Sequence, residues 1–301
     1  MSTRRHEDTV RTGLLWISPW MLGFALFLLT PLAMSVYYSL SDYPVLERPV
    51  FIGLGNYKRL LSDPTFWTVL KNTLIFSVIF VPASTILALG LAALLNKELP
   101  GWKLARAIVV LPTLVPAAAA AMAWLWLLNS DAGLINRLLG PLLGVFNLAA
   151  PAWLQSKLWA MPAIMIVSLW QVGQSVLIYQ AALREVPESL HEAAELDGLT
   201  GLRRFWHVTL PMISPVVLFN VVIGIIGAMQ VFVFPFIMTN GGPGTATYFY
   251  SMYLYDNAFL FGPQMGYACA MAWVQMMLVG ALTWLLFRMS RKNVHYRGGN
   301  A

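Results

Sequence analysis

The sequence predicts an all-α, polytopic membrane protein: six transmembrane helices, with a cytoplasmic helical segment between the fourth and fifth. Three observations carry that prediction. Hydrophobic residues make up 58% of the chain and charged residues 11%, against roughly a quarter charged in ordinary soluble domains. Six stretches are long and apolar enough to cross a bilayer core of about 30 Å, which takes roughly 20 residues as a helix. Between the fourth and fifth stretches lies a polar island, Glu185 to Pro215.

In chain order, residues 1–12 read as a cytoplasmic tail and residues 13–287 as one six-span domain. The apolar run from Gly13 to Leu40 follows a charged start, but it is too long for a signal peptide and has no small-residue cleavage site, so it reads as a retained first span. The other spans are Trp67 to Leu95, Ala105 to Leu128, Leu158 to Leu183, Val208 to Met238 and Gln264 to Phe287, and residues 288–301 form a second cytoplasmic tail. Prolines inside them, among them Pro82, Pro112, Pro116, Pro162 and Pro235, are acceptable where neighbouring helices satisfy the freed carbonyls.

Basic residues set the orientation, because Lys and Arg accumulate in cytoplasmic loops. With the N-terminus inside, thirteen of nineteen fall on the cytoplasmic side: Arg4, Arg5, Arg11, Lys97, Lys103, Arg106, Arg184, Arg203, Arg204, Arg288, Arg291, Lys292 and Arg297. Both termini and the polar island are therefore predicted to be cytoplasmic. The net charge of +6 is topological, since no aromatic-interleaved basic patch suggests nucleic acid.

The composition of the spans narrows the function. They hold almost no Asp, Glu, Lys or Arg away from their ends, whereas proton- and ion-coupled transporters usually keep ionisable residues there. Neutral polar residues are present instead: Asn72, Ser77 and Ser84 in the second span, Gln171, Gln174 and Ser175 in the fourth, Asn220 and Gln230 in the fifth. Spacings of three and four put Gln174 and Ser175 on one helical face with Gln171. In the fifth span Gly224 and Gly227 share a side near Asn220 and Gln230, leaving room either for a close helix or for a ligand. Such a path suits a neutral, hydroxyl-rich solute, and the same groups also serve as bonds between helices.

Several motifs fail. His191 and Glu192 open a zinc-protease pattern, but Glu195 stands where the second histidine belongs. His6, His191, His207 and His295 have no ligand spacing, so no metal is expected. Gly241, Gly242 and Gly244 surround Pro243 without the Lys-Ser/Thr of a phosphate loop. Cys269 is alone inside a span, which excludes an intramolecular disulfide. No nucleophile or acid/base pair converges, so the chain is not expected to be an enzyme.

Within the island, Ser189 and Glu192 have the spacing of a capping box, predicting a helix that starts near Leu190. Gly198 is placed to end it in a left-handed cap, and Gly201 to bend the chain before a second helix from Leu202 to Val208.

Glu192, Ala193 and Ala194, three residues, Gly198, nine residues, then Val208, Thr209, Leu210 and Pro211 resemble the EAA signature of membrane permeases of binding-protein-dependent ABC importers. FIGLGNYKRLLSDPTFW before the second span, LPTLVPAAAAAMAWLWLLN in the third and TNGGPGTATYFY after the fifth are similar to the carbohydrate-uptake branch, with its maltose-, lactose- and glycerol-phosphate-type permeases. The resemblance implies a permease half in a bacterial inner membrane. Its implied partners are a second homologous permease, two ATP-binding subunits and an extracytoplasmic solute-binding protein. No cofactor is implied in this chain, because ATP-Mg belongs to the ATPase partner. The coupling segment is residues 187–211, with Glu192, Ala193, Ala194, Gly198, Leu210 and Pro211 meeting the ATPase. The family's sugar site implies a substrate path at Gln171, Gln174, Ser175, Gly224, Gly227 and Gln230, although the aromatic, asparagine-rich fifth span of maltose-type permeases is not reproduced. The competing reading is an ATP-independent channel or facilitator.

Overall fold

The computed structural model of the chain describes residues 2–96 and 101–290, with side chains from residue 12 onward. Lys97, Arg291, Lys292, His295 and Arg297 lie outside the described residues, as do the side chains of Arg4, Arg5, His6 and Arg11.

α1 (Ser2–Phe24) passes through a π-helical turn, Ala25–Leu29, into α2 (Thr30–Ser39). Two short strands, β1 (Ser41–Asp42) and β2 (Val50–Phe51), pair antiparallel before α3 (Gly55–Ser62) and the long α4 (Pro64–Leu95). α5 (Trp102–Val110) ends in a 3-10 turn, Leu111–Leu114, ahead of α6 (Ala117–Leu127). α7 (Leu134–Val145) lies in a loop before α8 (Ala160–Leu169) and α9 (Gly173–Arg184). α10 (Glu188–Leu196) and α11 (Gly201–Arg204) follow, and a second π turn, Phe205–Thr209, feeds α12 (Leu210–Met229). α13 (Val233–Met238), α14 (Tyr250–Phe259) and α15 (Met265–Ser290) complete the described chain. Each π turn stands just before a proline at the start of the next helix, Pro31 and Pro211, whose missing N–H leaves the ladder a bond short. Thr30 Oγ1 takes up the carbonyl of Ala25 at 2.9 Å.

Among the described residues four helices are long and apolar enough to cross a membrane: Thr12–Ser39, Pro64–Leu95, Gly201–Met238 and Met265–Ser290. The third and fourth predicted spans are not single helices. Each is a pair, Trp102–Leu114 with Ala117–Leu127 bent by 103°, and Ala160–Leu169 with Gly173–Arg184 bent by 47°, so six crossings result only if each pair counts as one. The third breaks because Pro116 pushes Val115 out of the helical region, to φ −79° and ψ 126°. Pro82, by contrast, sits inside α4 without interrupting it. At the N-terminus the helix already begins at Ser2, so the expected tail and first span are continuous.

The chain divides into two compact units, residues 1–63 with 254–276, and residues 64–253 with 277–301. In the first, buried Asn56 organises the hairpin, its Nδ2 donating to Ser39 O at 3.0 Å and Ser41 O at 2.8 Å. Tyr57 Oη donates to Ser39 Oγ at 2.9 Å, and Trp273 Nε1 to Ser35 Oγ at 3.1 Å. Arg59 donates to Gln264 Oε1 at 2.6 Å and lies 4.4 Å from the centre of the Tyr267 ring, whose hydroxyl donates to Asp63. The first span has none of its most apolar window buried within the chain, which leaves it facing lipid or another subunit.

The second unit has two apolar clusters. One gathers Phe76, Ala120, Ala121, Ile164, Phe234 and Phe249; the other packs Ala88 and Ala92 of α4 against Val176, Tyr179 and Ala182 of α9, with Ile213 of α12. Alanines at these contacts let helices approach closely, as membrane interfaces favour. Asn72 faces the loop after α13 rather than a solute path: its Nδ2 donates to Thr245 O at 2.7 Å and Tyr248 O at 3.1 Å. Nearby, Tyr250 N–H donates to Thr73 Oγ1 at 2.9 Å. Asn72→Ala should therefore destabilise the protein by about 0.5–1.5 kcal/mol, the net worth of a hydrogen bond to carbonyls that water can still reach. Thermal unfolding in detergent and proteolysis between residues 239 and 250 check this; unchanged melting and cleavage would mean the loop stands without Asn72.

Candidate functional site

The polar island folds as a short helix with a defined stop. α10 begins at Glu188 behind Pro187, whose extended backbone (φ −62°, ψ 136°) forms the cap without a side-chain hydrogen bond. The expected capping box is not formed, because the helix starts early enough to place Ser189 inside its first turn. Its end matches the expectation. Gly198 has φ +76°, its N–H donates to Glu195 O at 3.0 Å, and the Leu199 N–H donates to Ala194 O at 2.8 Å. These two bonds form the Schellman arrangement, for which a left-handed glycine is the cheapest residue. Gly201 also has positive φ, +53°, at the bend. The second helix, expected over Leu202 to Val208, is not separate: α11 runs through the π turn into α12.

Glu192 and Ala193 are exposed, Ala194 is buried beneath them, Gly198 is exposed, and Leu210 and Pro211 are half-buried. Glu195 pairs with Arg204. Among the described residues Glu192 has no such partner. Leu196, Leu202 and Trp206, in the same segment, are 92%, 78% and 61% exposed. Treating the island as simply polar missed these three, although they are legible as large apolar side chains outside any span. An exposed apolar surface with a polar border marks a protein or membrane contact.

The residues expected along the solute path separate. Gln171, Ser175 and Gly224 line one cavity of about 140 Å³, together with Phe80, Ser84, Thr85, Ser168, Tyr179 and Asn220. Gln174, Gly227 and Gln230 are exposed and are not among its lining residues. The helical face expected for the fourth span is interrupted, since Gln171 lies in the break between α8 and α9. Its Nε2 donates to Val115 O at 3.2 Å, the carbonyl released at the other break. Sequence reasoning also missed Gly173: a Cβ there would lie 2.5 Å from Val109 O and 2.9 Å from Val110 Cα, so only glycine lets α9 start against α5. The cavity walls are neutral, and three of the polar side chains in them bond within their own helix, Ser84 to Val81 O, Ser168 to Ile164 O and Asn220 to Val216 O.

Residues 14–292 match the family described as the binding-protein-dependent transport system inner membrane component. This chain belongs to that family. The chain is 36% identical over 288 residues to the probable ABC transporter permease protein YesP of Bacillus subtilis strain 168, covering 94% of this chain and 92% of that one. It is 34% identical to the lactose transport system permease protein LacF of Rhizobium radiobacter, over 97% of both. A crystal structure of a bacterial ABC transporter involved in alginate import superposes with a TM-score of 0.81 at 23% identity, covering 96% of this chain and 99% of that one, which shows the shared fold. The protein is thus a multi-pass permease subunit of an ATP-driven importer, not an enzyme. Membership decides against the free-standing channel or facilitator.

Proposed function

We propose that this permease forms half of the translocation path for a sugar, or a related polyol or oligosaccharide, and takes its driving force through α10. The observation that carries the coupling role is the unpaired Glu192 beside exposed Ala193, in a segment that also exposes Leu196, Leu202 and Trp206. In this reading Glu192 meets a basic residue of an ATP-binding subunit, and Ala193 and Ala194 permit close approach. Gly198 turns the chain, and Leu210 and Pro211 carry displacement into α12. ATP-Mg is bound and hydrolysed by two copies of that subunit. A second homologous permease completes the path, an extracytoplasmic binding protein delivers the solute, and both termini lie in the cytoplasm. The lactose-system relative supports the carbohydrate class, as do the neutral cavity walls. That cavity is smaller than the roughly 300–1,000 Å³ of small-molecule pockets, which supports a path shared with a partner.

Affinity purification of the tagged chain from its native membrane should recover an ATP-hydrolysing subunit, and the complex in vesicles should take up a saccharide only with ATP and a binding protein. A homomeric assembly conducting solute without ATP would overturn the coupling role. A reporter fused after Gly198 should be reached from the cytoplasmic side, and access from outside would reverse the orientation.

A further inference from the structure

A second cavity in the unit of residues 64–253 lies at the end of the Gly201–Met238 run opposite α10, where the loops after α6 and α13 meet. At about 560 Å³ it is four times the size of the mid-span cavity and within the range of small-molecule sites. Its floor is apolar, with Leu154 and Ile237, and its rim carries Asn129, Gln155 and Asn240. No charged side chain lines it.

The two amides near α6 are exposed, and each has its oxygen engaged. Asn129 Oδ1 accepts from the backbone N–H groups of Asp131 at 3.0 Å and Ala132 at 2.9 Å. Gln155 Oε1 accepts from Ser130 Oγ at 2.7 Å. The acceptor ends are thereby occupied, and among the described residues the donor ends, Asn129 Nδ2 and Gln155 Nε2, have no partner. N–H donors beside apolar side chains, in a lining without a charged residue, match the polar edge and apolar face of a pyranose ring. A carboxylate or phosphate solute would find no cation in the lining.

We propose that this cleft is a receiving subsite for an uncharged saccharide, occupied before the solute reaches the mid-span cavity. The inference rests on the carbohydrate reading above and adds a site and a charge class to it.

The test uses the complete transporter in nanodiscs with its binding protein, and maltose, lactose, trehalose and raffinose as probes. Cysteines introduced as Leu125→Cys and, separately, Asn240→Cys are labelled with a methanethiosulfonate reagent during turnover. With a transported saccharide the labelling rate should fall about fivefold, and solute-free binding protein should leave it unchanged. Asn129→Ala combined with Gln155→Ala should lower uptake about tenfold, the loss of one or two hydrogen bonds to solute, and should abolish the protection. Equal protection by solute-free binding protein would make the cleft a docking surface and overturn the proposal, as would no protection at all. Failure of the wild-type complex to transport any neutral saccharide, with uptake of a charged solute, would instead overturn the carbohydrate reading itself.

Discussion

Replacing Glu192 by lysine is expected to abolish solute uptake by the assembled importer while the permease still folds and inserts. The fold should survive because Glu192 is exposed and lies outside the apolar clusters of its unit. The Gly198 cap bonds and the Glu195–Arg204 pair do not involve its side chain either. What changes is the charge offered to the ATPase. Reversing one member of a close ionic contact costs about 2–5 kcal/mol of interface affinity, a factor of roughly 30 to several thousand. Uptake should drop to background, and ATP hydrolysis should no longer respond to the loaded binding protein. Glu192→Gln, which removes charge without reversing it, should fall between. Normal uptake by the lysine variant, with the protein present in the membrane, would sink the coupling assignment.

The second large effect is expected at Gly173. Of the three atoms that would force a shift, Thr113 Cγ2 belongs to a side chain, but Val109 O and Val110 Cα belong to the backbone of α5 and cannot rotate away. Gly173→Ala should therefore cost about 1–3 kcal/mol through overpacking and push the start of α9 from its seat. Gly224→Ala is the matched control, because its Cβ would meet only Val81 side-chain carbons, the nearest at 3.4 Å. Thermal unfolding of both variants in detergent separates them. Equal melting temperatures would show that α5 yields at little cost.

The sequence made some of this legible and hid the rest for physical reasons. The helix stop at Gly198 was readable because a left-handed residue is a local requirement and glycine meets it. The start was misread because the Ser189 and Glu192 spacing describes one possible cap, while Pro187 and Glu188 begin the helix sooner. Hydropathy located the third and fourth spans but not their breaks. Pro116 and Pro82 look alike in sequence, yet only the carbonyl of Val115 is taken up by a side chain 56 positions away, and no local pattern encodes that pairing. The same limit explains Asn72, whose position in the sequence left both a solute path and a bond between helices open, and whose amide holds a loop. Of the expected path residues, Gln171, Ser175 and Gly224 share a cavity because α9 and α12 bring them together across α4. Gln174 points elsewhere because the break resets the helical phase at Gly173.

The hydrogen bond from Gln171 to Val115 has a mechanical meaning. It fastens the elbow of one bent helix pair to the elbow of the other, and α9 leaves that point as a rod whose far end leads, through Glu185, Val186 and Pro187, into α10. Twelve residues of helix span roughly 18 Å at 1.5 Å per residue, so a 10° swing about the elbow moves the α10 end by about 3 Å. In the proposed coupling the joint is a fulcrum: a displacement of a few ångströms at α10 becomes a small rotation at the Gln171 end, beside the cavity that Gln171 lines.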